Sequence, residues 1–466
     1  MCVCVCVCVC VYNNNICMFL KPLRRRKGTK TSKEEEEEEE EEEEAYDDDD
    51  KDLAHGPSVR NTADTNKKKK KRKIFDKFFD DWRISFKTTS AFVILSSFFL
   101  LSLRGFNIDF RKGHRTTTAT TAVYAIGDIH GDEDVLRKLL FALKITDKVY
   151  FSAADDFEVM KARDGNEEIV LVQTGDVVDR GARSIEAFDL LRTIKNKKNT
   201  GIKVELLVGN HELMAIQSDY RFVSADELVN LGDRAVNEEN LLEQSKIHQD
   251  STVGRKALYK LGLLQWKKLF HFENEKFGRE IREFGSVVTV QGEGNCKSAF
   301  AHAGILPEHL EQIDIELGEM LKNDVHSKNN KKNRSAIVTN IINEKYRSLT
   351  KGKQLTEYER FNVLPRWIES AEGVFWTREP PDATNANGGC EKIKQIVDFL
   401  DAKRLVIGHT VQPEGMRSLC DGYLVLIDSG MSYAYGGRMK EAFVCKGVNG
   451  VPMAVDVNGK SRKITA

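Results

Sequence analysis

The sequence lacks an excess of either charge, since 71 Lys and Arg residues stand against 72 Asp and Glu residues and leave a formal net charge of −1. Proteins that bind nucleic acid by general electrostatic attraction carry a surplus of basic residues. The composition therefore gives no indication of a nucleic-acid partner. The charged residues lie in separate blocks, with acidic runs at 34–44 and 47–50 and a basic patch at 67–73, which favours solvated tails.

Cysteine is scarce outside the first residues of the chain. Of the ten cysteines, six belong to or adjoin an opening Cys-Val repeat that is typical of low-complexity sequence. The four others, Cys296, Cys390, Cys420 and Cys445, have no spacing that indicates a metal site. This distribution argues against a small disulfide-built scaffold and leaves the disulfide state of the four cysteines open.

A long hydrophobic run is missing too. The uncharged, apolar stretch 88–103 lies between Lys87 and Arg104 and is shorter than the roughly 20 residues that span a bilayer. Since a basic patch precedes it, the positive-inside rule predicts a single-pass signal anchor whose C-terminal side is lumenal or organellar. A cleaved signal or transit sequence and a buried helix are the alternatives, and a soluble form is then expected.

Composition divides the chain into a non-globular first part and a remainder that is long enough for one large domain. The acidic and basic runs of the first part repel themselves and do not form a core. We predict a low-complexity disordered tail at 1–87, a membrane anchor or signal segment at 88–103, a linker at 104–121 and a catalytic domain at 122–466, with a helical insert at 218–284.

From residue 122 onward, short apolar runs end in glycine-containing loops and alternate with amphipathic stretches. Ala122–Ile126 leads into GDIHG, 169–172 into GDVVDRG, and Val204–Val208 into GNHE. Ser184–Ile194 has helical spacing, with Ser184 predicted as the N-cap. This alternation predicts an α/β fold. Ligand sites of open α/β sheets lie at the carboxyl ends of strands, so a site is expected where these loops emerge.

Polar residues at five such strand ends form a candidate metal site. Their carboxylate, imidazole and amide groups suit manganese, iron or zinc, and the absence of cysteine among them argues against a structural zinc site. They are too many for one ion and fit two ions that share a bridging carboxylate, held about 3.5–4 Å apart as in two-metal hydrolases. The residues are Asp128, His130, Asp176, Asp179, Arg180, Asn210, His211, His302 and His409.

Each residue also has an ordinary structural explanation. A lone histidine such as His302 is more often hydrogen-bonded in a core, Asp128 fits a helix N-terminus, and Asn210 fits a turn. In GDVVDRG, one aspartate is expected to bind a cation and the other to orient a neighbour, while Arg180 faces an anion through two nitrogens. Because the structural explanations must all hold together at successive strand ends, we favour the metal site.

Three blocks closely resemble the signature motifs of the phosphoprotein phosphatase (PPP) family of metallophosphoesterases. They are GDIHG at 127–131, GDVVDRG at 175–181 and GNHE at 209–212. His302 in HAG and His409 in GHT match the later histidine blocks of that family. GHT and the long insert resemble the bacterial-like branch, the Shewanella-like phosphatases. The resemblance implies a β-sandwich of two mixed sheets flanked by helices, with the insert as a cap beside the site.

The resemblance also implies a role for each site residue. Two divalent ions, manganese or else iron or zinc, would activate a hydroxide for attack on a phosphomonoester of a phosphoprotein. The chemistry requires these residue types, because charge on the phosphate oxygens must be neutralised and the departing oxygen needs an acid. Asp128 and His130 would bind the first ion, Asp176 would bridge, and Asn210, His302 and His409 would bind the second; His211 would be the general acid, oriented by Asp179, and Arg180 with Asn210 would hold the phosphate.

The C-terminal block departs from the family pattern. Where eukaryotic Ser/Thr-specific members carry an SAPNY-like sequence, this chain has DSGMSYAYGG at 428–437, which leaves phosphoserine, phosphothreonine and phosphotyrosine open. Tyr433 in this block either lines the site or packs. Arg378 is either a second phosphate-binding arginine or a structural residue against Trp376. Hydrolysis of dinucleoside polyphosphates and an inactive membrane-tethered scaffold are the alternative functions, and the oligomeric state is not predicted.

Overall fold

The computed structural model describes residues 120–149, 158, 167–198, 200–238, 252–274, 276–323, 334–352 and 364–465. The predicted tail and the predicted anchor at 88–103 lie outside the described residues, and what the sequence suggests for them stays a prediction. Within these ranges, no helix is both long enough and apolar enough to cross a membrane.

Strands and helices alternate at the start of the described part, and short strands return after the insert. The strands are β1 (Thr120–Ile126), β2 (Glu167–Gln173), β3 (Ile202–Leu206), β4 (Val288–Gln291), β5 (Ser298–Ala301), β6 (Arg404–Ile407), β7 (Arg417–Leu419), β8 (Leu424–Leu426), β9 (Glu441–Lys446), β10 (Met453–Asp456) and β11 (Ser461–Lys463). The α-helices are α1 (Glu133–Ala142), α2 (Ser184–Asn196), α3 (Asn210–Ile216), α4 (Ala225–Glu238), α5 (Thr252–Phe270), α6 (Pro307–Ile313), α7 (Ile315–Asn323), α8 (Arg334–Thr350), α9 (Arg366–Glu369) and α10 (Gly389–Phe399).

The strands form two mixed sheets. The first has the order β11-β10-β9-β1-β2-β3, in which β1, β2 and β3 are parallel and β9 pairs with β1 in the antiparallel sense. The second has the order β4-β5-β6-β8-β7, in which β5, β6 and β8 are parallel. In each sheet the parallel strands therefore end at one common edge, where ligand sites of such sheets are found.

The two sheets pack against each other because their central strands are apolar on both faces. On β1, Val123 belongs to the core between the sheets, whereas its neighbour Tyr124 belongs to the core beneath the helices. Phe300 of the second sheet meets Phe443 of the first, with 6.1 Å between ring centroids. The predicted α/β sandwich of two mixed sheets with flanking helices is confirmed.

The described residues of the predicted insert include two long helices, α4 and α5, that pack at very close range, and a short π-helical stretch at Glu280–Phe284. A Cβ atom on Gly232 would lie 2.0 Å from the carbonyl oxygen of Leu258, and one on Gly262 would lie 1.7 Å from that of Leu228. Glycine is therefore required at both positions. The two helices form one packed unit. In the chain, α4 begins directly after the segment that lies beside the site.

Cysteines 296, 390, 420 and 445 all form disulfides, which the sequence left open. Cys296–Cys445 joins the connection between β4 and β5 of the second sheet to β9 of the first, and Cys390–Cys420 joins the first turn of α10 to the turn after β7. Cys445 pairs with Val123 in the register of β9 and β1. The first disulfide thus ties the two sheets together opposite the middle of β1 and just before β5.

Ser184 is not the N-cap of α2, so this prediction is wrong. The helix begins at Ser184 itself, and its N-cap Arg183 makes no capping hydrogen bond through its side chain. The Ser184 N–H donates instead to the Glu227 carboxylate at 2.6 Å, and the Ser184 hydroxyl accepts the Asp179 N–H at 3.1 Å. A carboxylate from a distant helix has taken the capping role, and a local sequence rule cannot detect that exchange.

Candidate active site

The loops after β1, β2, β3, β5 and β6 converge and bring the predicted residues together. The first three loops leave one sheet and the last two leave the other, so the site lies where the carboxyl edges of both sheets meet. Arg180 is exposed. The buried members are Asp128, His130, Asp176, Asp179, Asn210, His211, His302 and His409.

Glu212 fixes the second loop against the third. Its buried carboxylate accepts backbone N–H groups from Asp176 (2.7 Å), Val177 (2.8 Å), Val178 (3.2 Å) and Gly209 (2.8 Å). Burial raises the pKa of Glu212 to about 7. The motif GNHE alone predicts no role for Glu212, because most of its partners belong to another loop.

The site backbone is strained at several non-glycine residues. The left-handed region costs about 1–3 kcal/mol for such residues, and it persists where surrounding contacts dictate the conformation. Strain of this kind is concentrated at functional sites. The residues with positive φ at the site are His130 (45°), Asp176 (56°), Asp179 (69°), Arg180 (66°) and His409 (66°).

Two groups of potential metal ligands share Asp176. His130, Asp176 and His211 form one group, and Asp176, His302 and His409 form the other, with the ligand atoms of each group within 4.8 Å of one another. Asp176 Oδ2 lies 3.7 Å from His130 Nε2, and Asp176 Oδ1 lies 3.5 Å from His302 Nε2. The two carboxylate oxygens therefore face different imidazoles, as a carboxylate between two ions would.

Acceptor atoms face one another in the second group. His302 Nε2 lies 2.9 Å from Asn210 Oδ1 and 3.2 Å from His409 Nδ1, which is itself 3.0 Å from the same oxygen. The other ring nitrogens contact backbone carbonyls, His302 Nδ1 at Thr174 O (2.9 Å) and His409 Nε2 at Trp376 O (3.1 Å). A neutral imidazole that donates to a carbonyl presents a lone pair at its opposite nitrogen. Three lone pairs aimed at one point repel each other, so this donor set fits a cation.

Three imidazoles, His130 of the first group and His302 and His409 of the second, are in the form that binds metal. Burial lowers the pKa of His130, His302 and His409 to about 3. They are therefore neutral at physiological pH, and neutral imidazole is the metal-binding form.

Asp128 and Asp428 add buried carboxyl groups next to the two ligand groups. Asp128 was predicted as a ligand of the first ion, and its carboxylate accepts the His409 N–H at 2.9 Å. Burial, with repulsion from Asp428 and Asp176, raises the pKa of Asp128 well above its usual value. Burial also raises the pKa of Asp428 to about 7. Asp428 is a site residue that was not predicted, although its place just after β8 in DSG was a usable signal. Bound cations would offset this clustering of carboxylates.

His211 and Asp179 form a buried pair, as the resemblance implied. His211 Nδ1 lies 2.8 Å from Asp179 Oδ2. Burial lowers the pKa of His211, but the charge of Asp176 and the hydrogen bond with Asp179 outweigh burial, so the net shift is upward. Nδ1 of the imidazole thus faces the carboxylate, and Nε2 lies on the opposite edge of the ring.

Two aromatic rings with no predicted role lie beside His211 and His130. The Arg180 guanidinium lies over the Phe222 ring, 3.9 Å from its centroid, and Phe222 lies 5.4 Å from the His211 ring. The Tyr435 ring lies 4.9 Å from the His130 ring, which in turn lies 4.8 Å from His211. A row of four rings therefore runs through the site, with Phe222 at one end and Tyr435 at the other.

Tyr433 does not pack against the protein, so the prediction of a packing aromatic is wrong, whereas its place at the mouth of the site stays a prediction. Its side chain is 88% exposed, and its N–H donates to Asp132 Oδ2 at 3.0 Å. The short 3₁₀ turn Tyr433–Tyr435 puts Tyr435 beside His130 instead. Which tyrosine enters the site depends on the orientation of this turn, and the sequence YAY does not reveal it.

Arg378 lies next to the second ligand group. Its guanidinium is exposed and donates to Thr410 Oγ1 at 3.2 Å and to the His409 carbonyl oxygen at 3.5 Å. The structure thus places this predicted phosphate-binding arginine beside His409.

Comparison with known proteins gives a family match and several relatives. Residues 121–413 match the model of the family described as calcineurin-like phosphoesterase. The chain is 28% identical over 324 residues to an uncharacterised protein of Schizosaccharomyces pombe, covering 68% of this chain and 75% of that protein. It is 24% identical over 341 residues to Shewanella-like protein phosphatase 2 of Arabidopsis thaliana, covering 70% and 75%. The cold-active protein-tyrosine phosphatase of a psychrophilic Shewanella species aligns with a TM-score of 0.47 at 19% identity, covering 74% and 80%.

Proposed function

Because the chain belongs to the calcineurin-like phosphoesterases, we propose that it hydrolyses phosphomonoesters on proteins with two divalent metal ions as cofactors. The chain is distantly related to the Shewanella-like protein phosphatases. The observation that carries the proposal is the pair of buried ligand groups that share Asp176.

The donor set supports a dinuclear site of hard and borderline ligands. Carboxylates, imidazoles and an amide without thiolate suit manganese, which we propose as the metal, with iron and zinc as alternatives. When bound, two such ions neutralise charge on a phosphoryl group and lower the pKa of water enough to supply a nucleophile at neutral pH. The residues that would hold them are Asp128, His130, Asp176, Asn210, His302 and His409.

The chain's own residues divide the remaining tasks. Arg180 can bind two phosphate oxygens at once, with the Asn210 amide as a further contact, and Arg378 adds positive charge beside His409. His211, held at 2.8 Å by Asp179, donates its Nε2 proton to the departing oxygen. Asp179 contacts no phosphate in this scheme and acts by keeping the imidazole protonated and oriented.

The aromatic row favours phosphotyrosine over phosphoserine as the phosphorylated side chain. Phe222 and Tyr435 stand at the two ends of the row beside His211 and His130. A phenyl ring packed against such rings buries apolar area and gains aromatic contacts, which a serine methylene does not. Shewanella-like protein phosphatase 2 of Arabidopsis thaliana and Shewanella-like protein phosphatase 1 of Plasmodium berghei are named as protein phosphatases, which supports a protein substrate.

Metal reconstitution of the full-length protein tests the proposal. After chelation, Mn²⁺ should restore hydrolysis of p-nitrophenyl phosphate and of phosphopeptides, with phosphotyrosine preferred and two ions bound per chain. Asp176→Asn should lose both metal and activity while its circular dichroism spectrum is unchanged, whereas Asp134→Asn on the surface of α1 should behave as wild type. Full activity of Asp176→Asn contradicts the mechanism. A preference for diadenosine tetraphosphate favours the polyphosphate hydrolase instead, and metal binding without any turnover favours the scaffold.

We also propose that the catalytic part faces an oxidising compartment, lumenal or organellar, behind an anchor at 88–103. Two disulfides support this location, because disulfides persist outside the reducing cytosol. In membranes extracted with alkaline carbonate, the protein should stay in the pellet with its four disulfide cysteines blocked to thiol reagents. Release of the intact chain contradicts the anchor, and free thiols at these cysteines contradict the compartment.

A further inference from the structure

The insert contacts the GDVVDRG loop and the residues just after it through a short segment at the start of α4. The segment is only a few residues long, and it touches both the second motif, GDVVDRG, and Ser184, the first residue of α2. The contacts are Phe222 O with the Arg180 N–H (2.8 Å), Ser224 Oγ–H with Gly181 O (2.9 Å) and Glu227 Oε2 with the Ser184 N–H (2.6 Å).

A continuous series of hydrogen bonds leads from the insert to the general acid. Glu227 accepts the N–H of Ser184 at 2.6 Å, and the Ser184 hydroxyl accepts the N–H of Asp179 at 3.1 Å. Asp179 then contacts His211 at 2.8 Å. Glu227, Ser184 and Asp179 are each fully buried. The series therefore connects the Glu227 carboxyl to Asp179, the hydrogen-bond partner of His211.

Ser184 takes part in this series through two different groups. The first N–H groups of a helix have no partner within the helix, and an acceptor from elsewhere must satisfy them. Ser184 is the first residue of α2, and Glu227 accepts its N–H. The Ser184 hydroxyl accepts the N–H of Asp179, so one residue joins the insert to the GDVVDRG loop.

The loop needs outside support because two consecutive residues are strained. Asp179 and Arg180 both have left-handed φ values, 69° and 66°. Each costs about 1–3 kcal/mol and is kept only where contacts dictate it. The insert supplies such contacts on both residues, directly at the Arg180 N–H and through Ser184 at the Asp179 N–H.

We propose that Glu227 is a positioning residue for phosphate hydrolysis, through which the insert sets the orientation of Asp179 and Arg180. The inference rests on the proposed function, since it concerns the same general acid and the same phosphate-binding arginine. In this role the insert contributes to catalysis through Glu227, which does not contact the substrate.

The burial of Glu227 argues for a specific local task. Its side chain is fully buried, its Oε1 atom has no hydrogen-bond partner within the described part of the chain, and Arg234 Nη2 is 3.9 Å away. Burying a carboxyl group with one unsatisfied oxygen is costly. Burial and the nearby charge of Glu186 raise the pKa of Glu227 to about 8, so a glutamine is close to the form present at neutral pH.

Kinetics of Glu227 variants in the full-length protein test the inference. Glu227→Ala should raise KM for p-nitrophenyl phosphate and the inhibition constant of orthophosphate about tenfold, because Asp179 loses the support of Ser184 and Arg180 follows Asp179 directly in the same strained turn. It should also lower kcat more for phenyl phosphate than for p-nitrophenyl phosphate, since the poorer leaving group depends more on the general acid. Metal content should match wild type. Glu227→Gln, which keeps an acceptor for the Ser184 N–H, should restore most of the activity.

A neighbouring residue gives the matched control. Asp226 precedes Glu227 on the same turn of α4, but its side chain is 68% exposed and pairs with Arg255. Asp226→Ala should therefore leave KM, kcat and the inhibition constant unchanged. If Glu227→Ala fails to fold, Ser184→Ala removes the next link without touching the insert, and the same shifts are expected from it.

The outcomes separate positioning from a purely structural role. If Glu227→Ala lowers the melting temperature but leaves KM, phosphate inhibition and leaving-group dependence at wild-type values, the inference is wrong. If wild type itself hydrolyses no phosphomonoester, the proposed function fails on its own. Calorimetric binding of orthophosphate to the Mn²⁺-loaded proteins then decides the inference, with about tenfold weaker binding to Glu227→Ala supporting it and equal binding overturning it.

Discussion

Replacing Asp179 with asparagine removes the negative charge that faces His211 while keeping nearly the same shape. Asp179 Oδ2 lies 2.8 Å from His211 Nδ1 within the protein interior. Asparagine can still accept the Nδ1 hydrogen through its amide oxygen, so orientation is largely kept. What is lost is the electrostatic part of the interaction, which holds the proton on His211.

The size of the effect follows from the difference between two kinds of hydrogen bond. A hydrogen bond to a charged group contributes about 1.5–3 kcal/mol, whereas a neutral one contributes about 0.5–1.5 kcal/mol. The substitution therefore costs roughly 1–2 kcal/mol of transition-state stabilisation. At about 1.4 kcal/mol for each factor of ten, kcat should fall about 5- to 30-fold.

The assay compares two aryl phosphates with different leaving groups. p-Nitrophenolate departs with little help from an acid, whereas phenolate needs its proton. Asp179→Asn should therefore reduce kcat for phenyl phosphate more than for p-nitrophenyl phosphate, and its metal content should equal that of wild type. Asp176→Asn should lose metal and fail on both substrates.

Two results would refute this reasoning. Equal losses on both substrates would mean that Asp179 does not act through a general acid. Loss of metal in Asp179→Asn comparable to that in Asp176→Asn would mean that the two carboxylates share one role, and the assignment of the bridge to Asp176 alone would be wrong.

Other predictions concern stability. Glu212→Ala leaves buried backbone N–H groups without an acceptor, and each unsatisfied group costs about 1–3 kcal/mol. The free energy of unfolding, measured by urea titration, should therefore fall by about 3 kcal/mol or more. An unchanged urea midpoint would contradict the role of Glu212 in holding the two loops together. Because Glu227 keeps its proton up to about pH 8 when folded but loses it near its ordinary pKa of 4.5 when unfolded, wild-type stability should fall as pH rises between these values. Glu227→Gln should remove that part of the pH dependence, and identical slopes would refute it. Mn²⁺ should raise the melting temperature of wild type but not of Asp176→Asn, since only binding to the folded state stabilises; equal shifts would mean that the ions bind elsewhere.

The site residues could be predicted from the sequence where a strand and its functional side chains are adjacent in the chain. β1 and β2 are short apolar runs, each followed at once by its motif, so the strand and its site residues are read together. His302 and His409 follow short strands in the same way. The prediction of a sandwich of two mixed sheets came from the family resemblance, because the alternation of strands and helices does not reveal how strands are ordered in two sheets.

Features that depend on contacts between distant segments were missed. Glu212 stands in a recognised motif, but most of its partners lie in another loop. Ser184 obeys the capping preference in sequence, and only the approach of Glu227 from the insert overrides it. Tyr433 and Tyr435 are two residues apart, and the orientation of their short turn decides which of them lies beside His130. The cysteine pairing depends on which strands are neighbours. None of these has a signature within a short window of sequence.

The Cys296–Cys445 bond links the two sheets at a distance from the ligand groups. It joins the residue two positions before β5 of the second sheet to β9 of the first, opposite the middle of β1, whereas the ligand residues follow the carboxyl ends of strands in both sheets. The disulfide and bound ions would therefore connect the same two sheets at two different places. Because both connections would act on one pair of sheets, their stabilising effects should not add: reducing Cys296–Cys445 should destabilise the metal-free protein more than the metal-loaded one.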